Sequence, residues 1–157
     1  MQPRIETLND KKLVGTRLKM SLAANRTQAL WQAFMPRLRE ITNRVGNDKI
    51  SMQIYDAPLR SGDFTQKFEK WAAVEVANFD AVPDGLETFT LRGGTYAVFD
   101  YKGSSSDPRI FIYIFTEWLP NSIYTLDDRP HFEILGENYR NNDAESEEEI
   151  WIPVKLK

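Results

Sequence analysis

The sequence predicts an α+β fold made of duplicated β-α-β-β units, which form a pseudo-two-fold antiparallel sheet with two main helices lining a cleft. The first observation is a set of features about 80 residues apart. Thr27 and Asp107 each open an amphipathic run, Met52-Gln53-Ile54 has its counterpart in Phe132-Glu133-Ile134, and Trp71 answers Trp151. Gly15-Thr16 and Gly94-Thr95 each enter an apolar run, 79 apart. The second observation is length. A chain of 157 residues is one domain, with two copies of the unit at about 5–80 and 86–155. The third is composition: 41% hydrophobic and 27% charged residues are ordinary globular values.

Leu13 to Leu22 alternates and reads as a strand. Asn25-Arg26-Thr27 offers a side-chain oxygen to the first turn of a helix. Leu30, Trp31, Phe34, Leu38, Ile41 and Val45 then follow at helical spacing up to Gly46. Pro36 lies inside this helix and is expected to bend it, because proline removes one backbone hydrogen bond. Ile50 to Tyr55 reads as a short strand, Asp56 to Gln66 as a polar loop, and Phe68 to Phe79 as a second strand.

Val82-Pro83-Asp84-Gly85 is turn chemistry and marks the seam between the units. Thr88 to Tyr101 reads as a strand pair or one long bent strand, broken by a bulge at Gly93-Gly94. Ser104 to Pro108 supplies a loop, a cap and an N1 proline. Ile110 to Leu119 is the second helix, apolar nearly all round and expected to be deeply buried, running straight to its end at Pro120. His131 to Leu135 is a strand. Asn141 to Glu149 reads as a solvated acidic loop, and Ile150 to Val154 as the last strand, at an edge because of Pro153. About eight strands are expected in all.

Several functions are excluded or disfavoured. There is no Cys, so disulfides and thiolate chemistry are absent, and the single His leaves no metal site expected. A net charge of −3 and pI near 5.3 argue against a nucleic-acid surface. Neither a signal peptide nor a membrane-span pattern is present, so a cytoplasmic protein without membrane contact is expected. No cofactor motif is found: Gly93-Gly94 lacks the helix that a phosphate loop needs.

One residue stands out. Phe132-Glu133-Ile134-Leu135 places an acid inside a short apolar strand. Alternation sends His131, Glu133 and Leu135 to one face. If that face lies under the helices, the acid meets Trp31 and Phe34 from one unit and Phe111, Phe115 and Trp118 from the other. A carboxylate is costly there, and such a group suits a lipophilic cation: rings supply area and cation–π attraction, and the acid supplies the counter-charge. The matching residue of the first unit is the neutral Gln53. The bland reading pairs Glu133 with Arg or Lys on an exposed sheet face. His131 reads as a strand-end residue rather than a ligand.

The runs Asp127-Asp128-Arg129-Pro130-His131-Phe132-Glu133-Ile134-Leu135 and Ser146-Glu147-Glu148-Glu149-Ile150-Trp151-Ile152-Pro153-Val154 resemble the end of GyrI-like proteins, the effector-binding domains of AraC- and MerR-type regulators. The resemblance covers the whole chain and implies two helices lining a ligand cleft, with Glu133 as the pocket acid. Trp31 and Phe111 resemble its pocket aromatics. The implied function is a stand-alone binder of lipophilic or cationic effectors, with no direct DNA binding because no helix-turn-helix module precedes the first strand. Two alternatives share the fold: a hydrolase in which Glu133 is catalytic and Tyr96, Tyr113 or Trp118 positions the substrate, and a gyrase-inhibitor-like module with a protein partner.

Overall fold

The computed structural model describes residues 1–60 and 62–157; Ser61, in the expected loop from Asp56 to Gln66, lies outside them. Among the described residues there are nine strands: β1 (Arg4–Leu8), β2 (Lys11–Ser21), β3 (Lys49–Tyr55), β4 (Lys67–Val76), β5 (Glu87–Leu91), β6 (Gly94–Lys102), β7 (Tyr124–Leu126), β8 (His131–Leu135) and β9 (Glu147–Leu156). All pairings are antiparallel, in the order β1-β6-β9-β8-β3-β4-β2-β5, with β7 added beside β9. Read from either end, this order exchanges the two halves, which is the expected pseudo-two-fold.

The axis passes between Met52 of β3 and Phe132 of β8, which face each other directly. Met52 also faces Trp71, and Phe132 faces Trp151, so the two tryptophans occupy equivalent places. The correspondence of Gly15 with Gly94 does not hold. Gly15 faces Ala73, and the residue facing the equivalent Pro153 is Tyr96. Gly15 is therefore equivalent to Tyr96, an offset of 81 residues (96 − 15), two positions from the Gly15–Gly94 match.

β1 and β5 do not pair with the strands that follow them. β1 pairs with β6, and β5 with β2, so the halves exchange their first strands. Leu8 faces Gly94 and Lys11 faces Leu91, which makes one continuous register through two bends. At the crossing, Asp10 Oδ1 accepts from the Gly93 amide at 2.7 Å, and a Cβ on Gly93 would lie 2.1 Å from the Leu8 carbonyl. Because β1 runs into β2 and β5 into β6, the sheet curls back on itself. Its inner face holds Leu13, Met52, Trp71, Leu91, Tyr96, Phe132 and Trp151 in one buried cluster.

The outer face carries the helices. α1 (Thr27–Phe34) packs Leu30 and Phe34 on Val14, Ala72 and Val74, and Asn25 Oδ1 accepts the Thr27 amide at 2.9 Å. Pro36 does not merely bend this helix: residues Met35–Glu40 tighten into a 3₁₀ turn, and Ile41 leaves in extended conformation, so the helix ends well before Gly46. α2 (Arg109–Tyr113) continues as a π turn (Ile114–Trp118) and ends as a short α3 (Leu119–Asn121). The second helix therefore changes its hydrogen-bond ladder midway and runs one residue past Pro120. The Leu119 amide bonds five residues back to Ile114, which widens the turn just before a proline that has no amide to donate. Nor is it buried all round. Ile110, Ile114 and Leu119 are covered, whereas Ile112 is 55% exposed.

Two strand readings are also corrected. β9 is interior, between β6 and β8; Pro153 is tolerated because β8 stops at Trp151 and β7 begins opposite Val154. The last strand starts at Glu147, so Glu147 to Glu149 belong to the sheet rather than to a solvated loop.

Candidate ligand cleft

Alternation fixes what lies between the two helix layers. Phe132 belongs to the inner cluster, so His131, Glu133 and Leu135 face the helices. The same logic turns Ser51, Gln53 and Tyr55 of β3 outward, since Ile50 and Met52 face in. On β4, Trp71 and Ala73 face in while Ala72 and Val74 pack under α1, so Lys70 lies on the helix side. On β9, Ile150 and Ile152 pack under α2, and Glu148 shares their side.

A diagonal of polar groups thus crosses four neighbouring strands: Glu148, Glu133, Gln53 and Lys70. Gln53 lies directly across from Lys70. Gln53 and Glu133, equivalent under the pseudo-two-fold, meet across it: Nε2 of Gln53 donates to Oε1 of Glu133 at 3.2 Å. One end of the cleft is aromatic. The Tyr55 and His131 rings lie 5.1 Å apart, Phe68 packs on Tyr55 at 5.5 Å, and Phe115 reaches His131 from the π turn at 6.1 Å.

The charges are strongly perturbed. Glu133 is surrounded by protein yet keeps some accessible surface, as expected at the floor of a cleft. Burial holds its carboxyl above the usual range, opposed by the Lys70 charge and the Gln53 hydrogen bond. Burial, followed by the charge of Glu133, pushes Glu148 up to about 8. Lys70 is 7% exposed, and burial lowers its affinity for the proton. It feels Glu133 and Glu148 without touching either. His131, 8% exposed, is held down to about 4 by burial.

The expected site residues divide. Glu133 is on the helix side, and it is neither exposed nor in contact with a cation. Phe111 lies one turn before Phe115 on the same side of α2, and the pseudo-two-fold carries Trp31 onto Phe111. Both are partly covered, packed against their own helix clusters. The other three do not join Glu133. Tyr96 is fully buried on the inner face, where its hydroxyl donates to the Pro130 carbonyl at 3.0 Å. Tyr113 is on the outer flank of α2 and donates to the Met1 carbonyl at 3.0 Å. Trp118 stacks on Tyr124 and meets Phe99 edge-on at 5.3 Å. Two surface grooves, of about 560 and 470 Å³, also flank this outer side, at Met1–Tyr113 and Ile5–Trp118, away from Glu133.

Sequence reasoning passed over Lys70 and Glu148. The alternation of Phe68, Lys70, Ala72 and Val74 already placed a cation on a face that must be covered. For Glu148, the step of two from Ile150 was the signal. Among the described residues no group of three or more His, Cys, Asp or Glu could hold a metal, and no helix is long and apolar enough to cross a membrane.

Comparison with known proteins agrees with the fold. SAV2435, solved bound to tetraphenylphosphonium, superposes with a TM-score of 0.72 at 18% identity, over 99% of this chain and 94% of that one. The C-terminal domain of EcmrR gives 0.73 at 15% identity, over 99% and 98%. A hydrolase encoded by lin2189 from Listeria innocua gives 0.64 at 11% identity, over 98% and 92%. No curated protein matches the sequence. The family described as the GyrI-like small molecule binding domain matches residues 1–155, across both halves and through the strand that carries Glu133, and the chain belongs to that family.

Proposed function

We propose that the cleft between α1 and α2 binds an amphipathic small molecule with a cationic centre, and that Glu133 is the recognition charge. The observation that carries this is a carboxylate kept on the floor of an aromatic cleft with a neutral amide as its direct partner. Desolvation makes a bare charge there expensive, and a bound cation relieves that cost. Phe111, Phe115 and Trp31 supply apolar and cation–π surface on the two sides. The tetraphenylphosphonium on SAV2435, a lipophilic cation, supports the same ligand class for this fold.

Glu133→Gln keeps the shape and removes the charge. The variant should be as stable as the wild type or slightly more so, because an amide is cheaper to bury. Its affinity for planar or quaternary cations should fall by about 1–3 kcal/mol, the scale of a lost charge-assisted partner. Calorimetric titration of both proteins decides. Equal affinities, or tighter binding of anionic dyes by the wild type, would remove Glu133 as the recognition charge and leave an interaction module in front.

A second reading rests on Glu148. Two carboxylates with raised proton affinity in one cleft form an acid–base pair, as a hydrolase requires. Its signature is consumption of a reactive electrophile that stops in Glu133→Gln.

A further inference from the structure

Lys70 has no part in holding a simple cation at Glu133. A lysine that is only 7% exposed normally has a carboxylate or several acceptors in contact. Here the acids that share its cleft are near enough to be felt but are not bonded to it. Gln53, directly across from it, gives its amide nitrogen to Glu133. Lys70 stands on β4 opposite Gln53 and Glu133 on β8 opposite Ser51, two strands over and two residues along, so their backbones are about 12 Å apart at the usual strand spacing and rise. Glu148 lies one strand further on, beyond Glu133. The cleft therefore offers two acids at one end and a largely buried cation at the other. Tyr55 and His131 lie between the helices as apolar walls: burial keeps the imidazole neutral and the phenol protonated.

A simple lipophilic cation satisfies one end of this arrangement and repels the other. A molecule that also carries an acceptor or an anionic group satisfies both. We propose that Lys70 is a specificity residue, and that the cleft selects a zwitterionic ligand, with its cationic centre at Glu133 and Glu148 and a carboxylate or other strong acceptor on the Lys70 ammonium. This rests on the reading of Glu133 as the cation-recognising charge and narrows the ligand class within it. The chemistry is ordinary charge-assisted hydrogen bonding at both ends, made strong by a site with little water.

Rhodamine B and its ethyl ester test it. They share one cationic ring system, and the ester lacks the carboxylate. The wild type should bind the free acid about tenfold more tightly than the ester, the scale of one charge-assisted hydrogen bond. Lys70→Met keeps the length of the side chain and removes the charge; it should abolish this preference by weakening the acid while leaving the ester unchanged or tighter. Lys70→Arg should restore the preference. If Lys70→Met does not fold, Lys70→Gln replaces it, with the same expectation. Equal gains for both dyes in Lys70→Met would show that Lys70 is merely a counter-ion of the acids and would overturn the proposal. So would a wild type with no preference for the acid. Glu133→Gln separates this from the underlying reading: it should weaken both dyes. Weakening of both there, together with no effect of Lys70→Met on the preference, sinks the zwitterion and leaves the cation site standing.

Discussion

Glu148 and His131 pull the stability of the protein in opposite directions with pH. Folding favours the protonated form of Glu148, so its contribution is complete below the ordinary carboxylate value of 4.5 and is lost as pH rises through about 8. Folding favours the neutral form of His131, so its contribution is complete above 6.5 and is lost as pH falls through about 4. The two windows overlap between 4.5 and 6.5, where the opposing slopes cancel, so stability should be broad and greatest there and fall on either side. Glu148→Gln should unfold at higher urea than the wild type at pH 8, by about 2 kcal/mol once solvent screening is allowed for, with the gap closing near pH 4.5. A gap that is the same at both pH values would show that Glu148 is not desolvated by the fold. Glu133 was legible in the sequence because it interrupts an apolar strand. Glu148 was not, because Glu147 and Glu149 beside it face the other way and the three together look like a solvated run. Tyr96 was misplaced for a related reason: the bend at Gly93 sets which face of β6 it takes, and no local pattern fixes that parity.

Among the elements, β2 depends most on the absence of a side chain. A Cβ on Gly15 would lie 2.1 Å from the Ala72 carbonyl oxygen and 2.7 Å from Ala73 Cα, both backbone atoms of the paired strand β4. Gly15→Ala should cost about 3 kcal/mol in denaturant unfolding, since the strands must separate to admit the methyl group. Gly46→Ala provides the contrast: nothing lies near its Cβ, and its φ of 74° alone should cost about 1 kcal/mol. Equal losses at the two sites would mean that β2 and β4 yield more readily than the spacing implies. The helices show where reading from periodicity stops. Leu30, Phe34 and Ile110 were placed by their spacing, but the 3₁₀ turn after Phe34 and the π turn after Tyr113 were not. Each keeps the apolar stripe on the sheet while changing the hydrogen-bond ladder beneath it, so hydrophobic pattern is blind to both.

For the whole molecule, the two chain ends and the internal seam play the same part. The Met1 carbonyl accepts from Tyr113, and Lys157 donates from its backbone to Ile123 and from its side chain to the Pro120 carbonyl, so both ends rest against α2 and α3. The seam rests against the other helix, where Arg37 donates to the Asp84 carbonyl. A circular permutant that begins at Gly85 and ends at Asp84, its old ends joined by a short linker, should fold with the same near-ultraviolet spectrum and melt within roughly 10 °C of the parent. A permutant opened between Asn9 and Asp10 should not, because that cut severs the bend where the exchanged strands cross. Folding of the second and not the first would reverse this view of which connections matter. The offset of about 80 residues was readable because the tryptophans and the polar pair repeat at it. The exchange of β1 and β5 was not: a strand that pairs with the other half carries the same alternation as one that pairs at home.

The diagonal from Lys70 to Glu148 gives the cleft an electric polarity that its shape lacks. The backbone offers any elongated guest two poses, related by half a turn about the axis between Met52 and Phe132. The positive end of the floor lies on the α1 side and the negative end on the α2 side, so a guest with a permanent dipole feels a torque toward one pose alone. A shape built twice can thus hold a molecule in a single direction, and the handful of residues that differ between the copies set which direction it is.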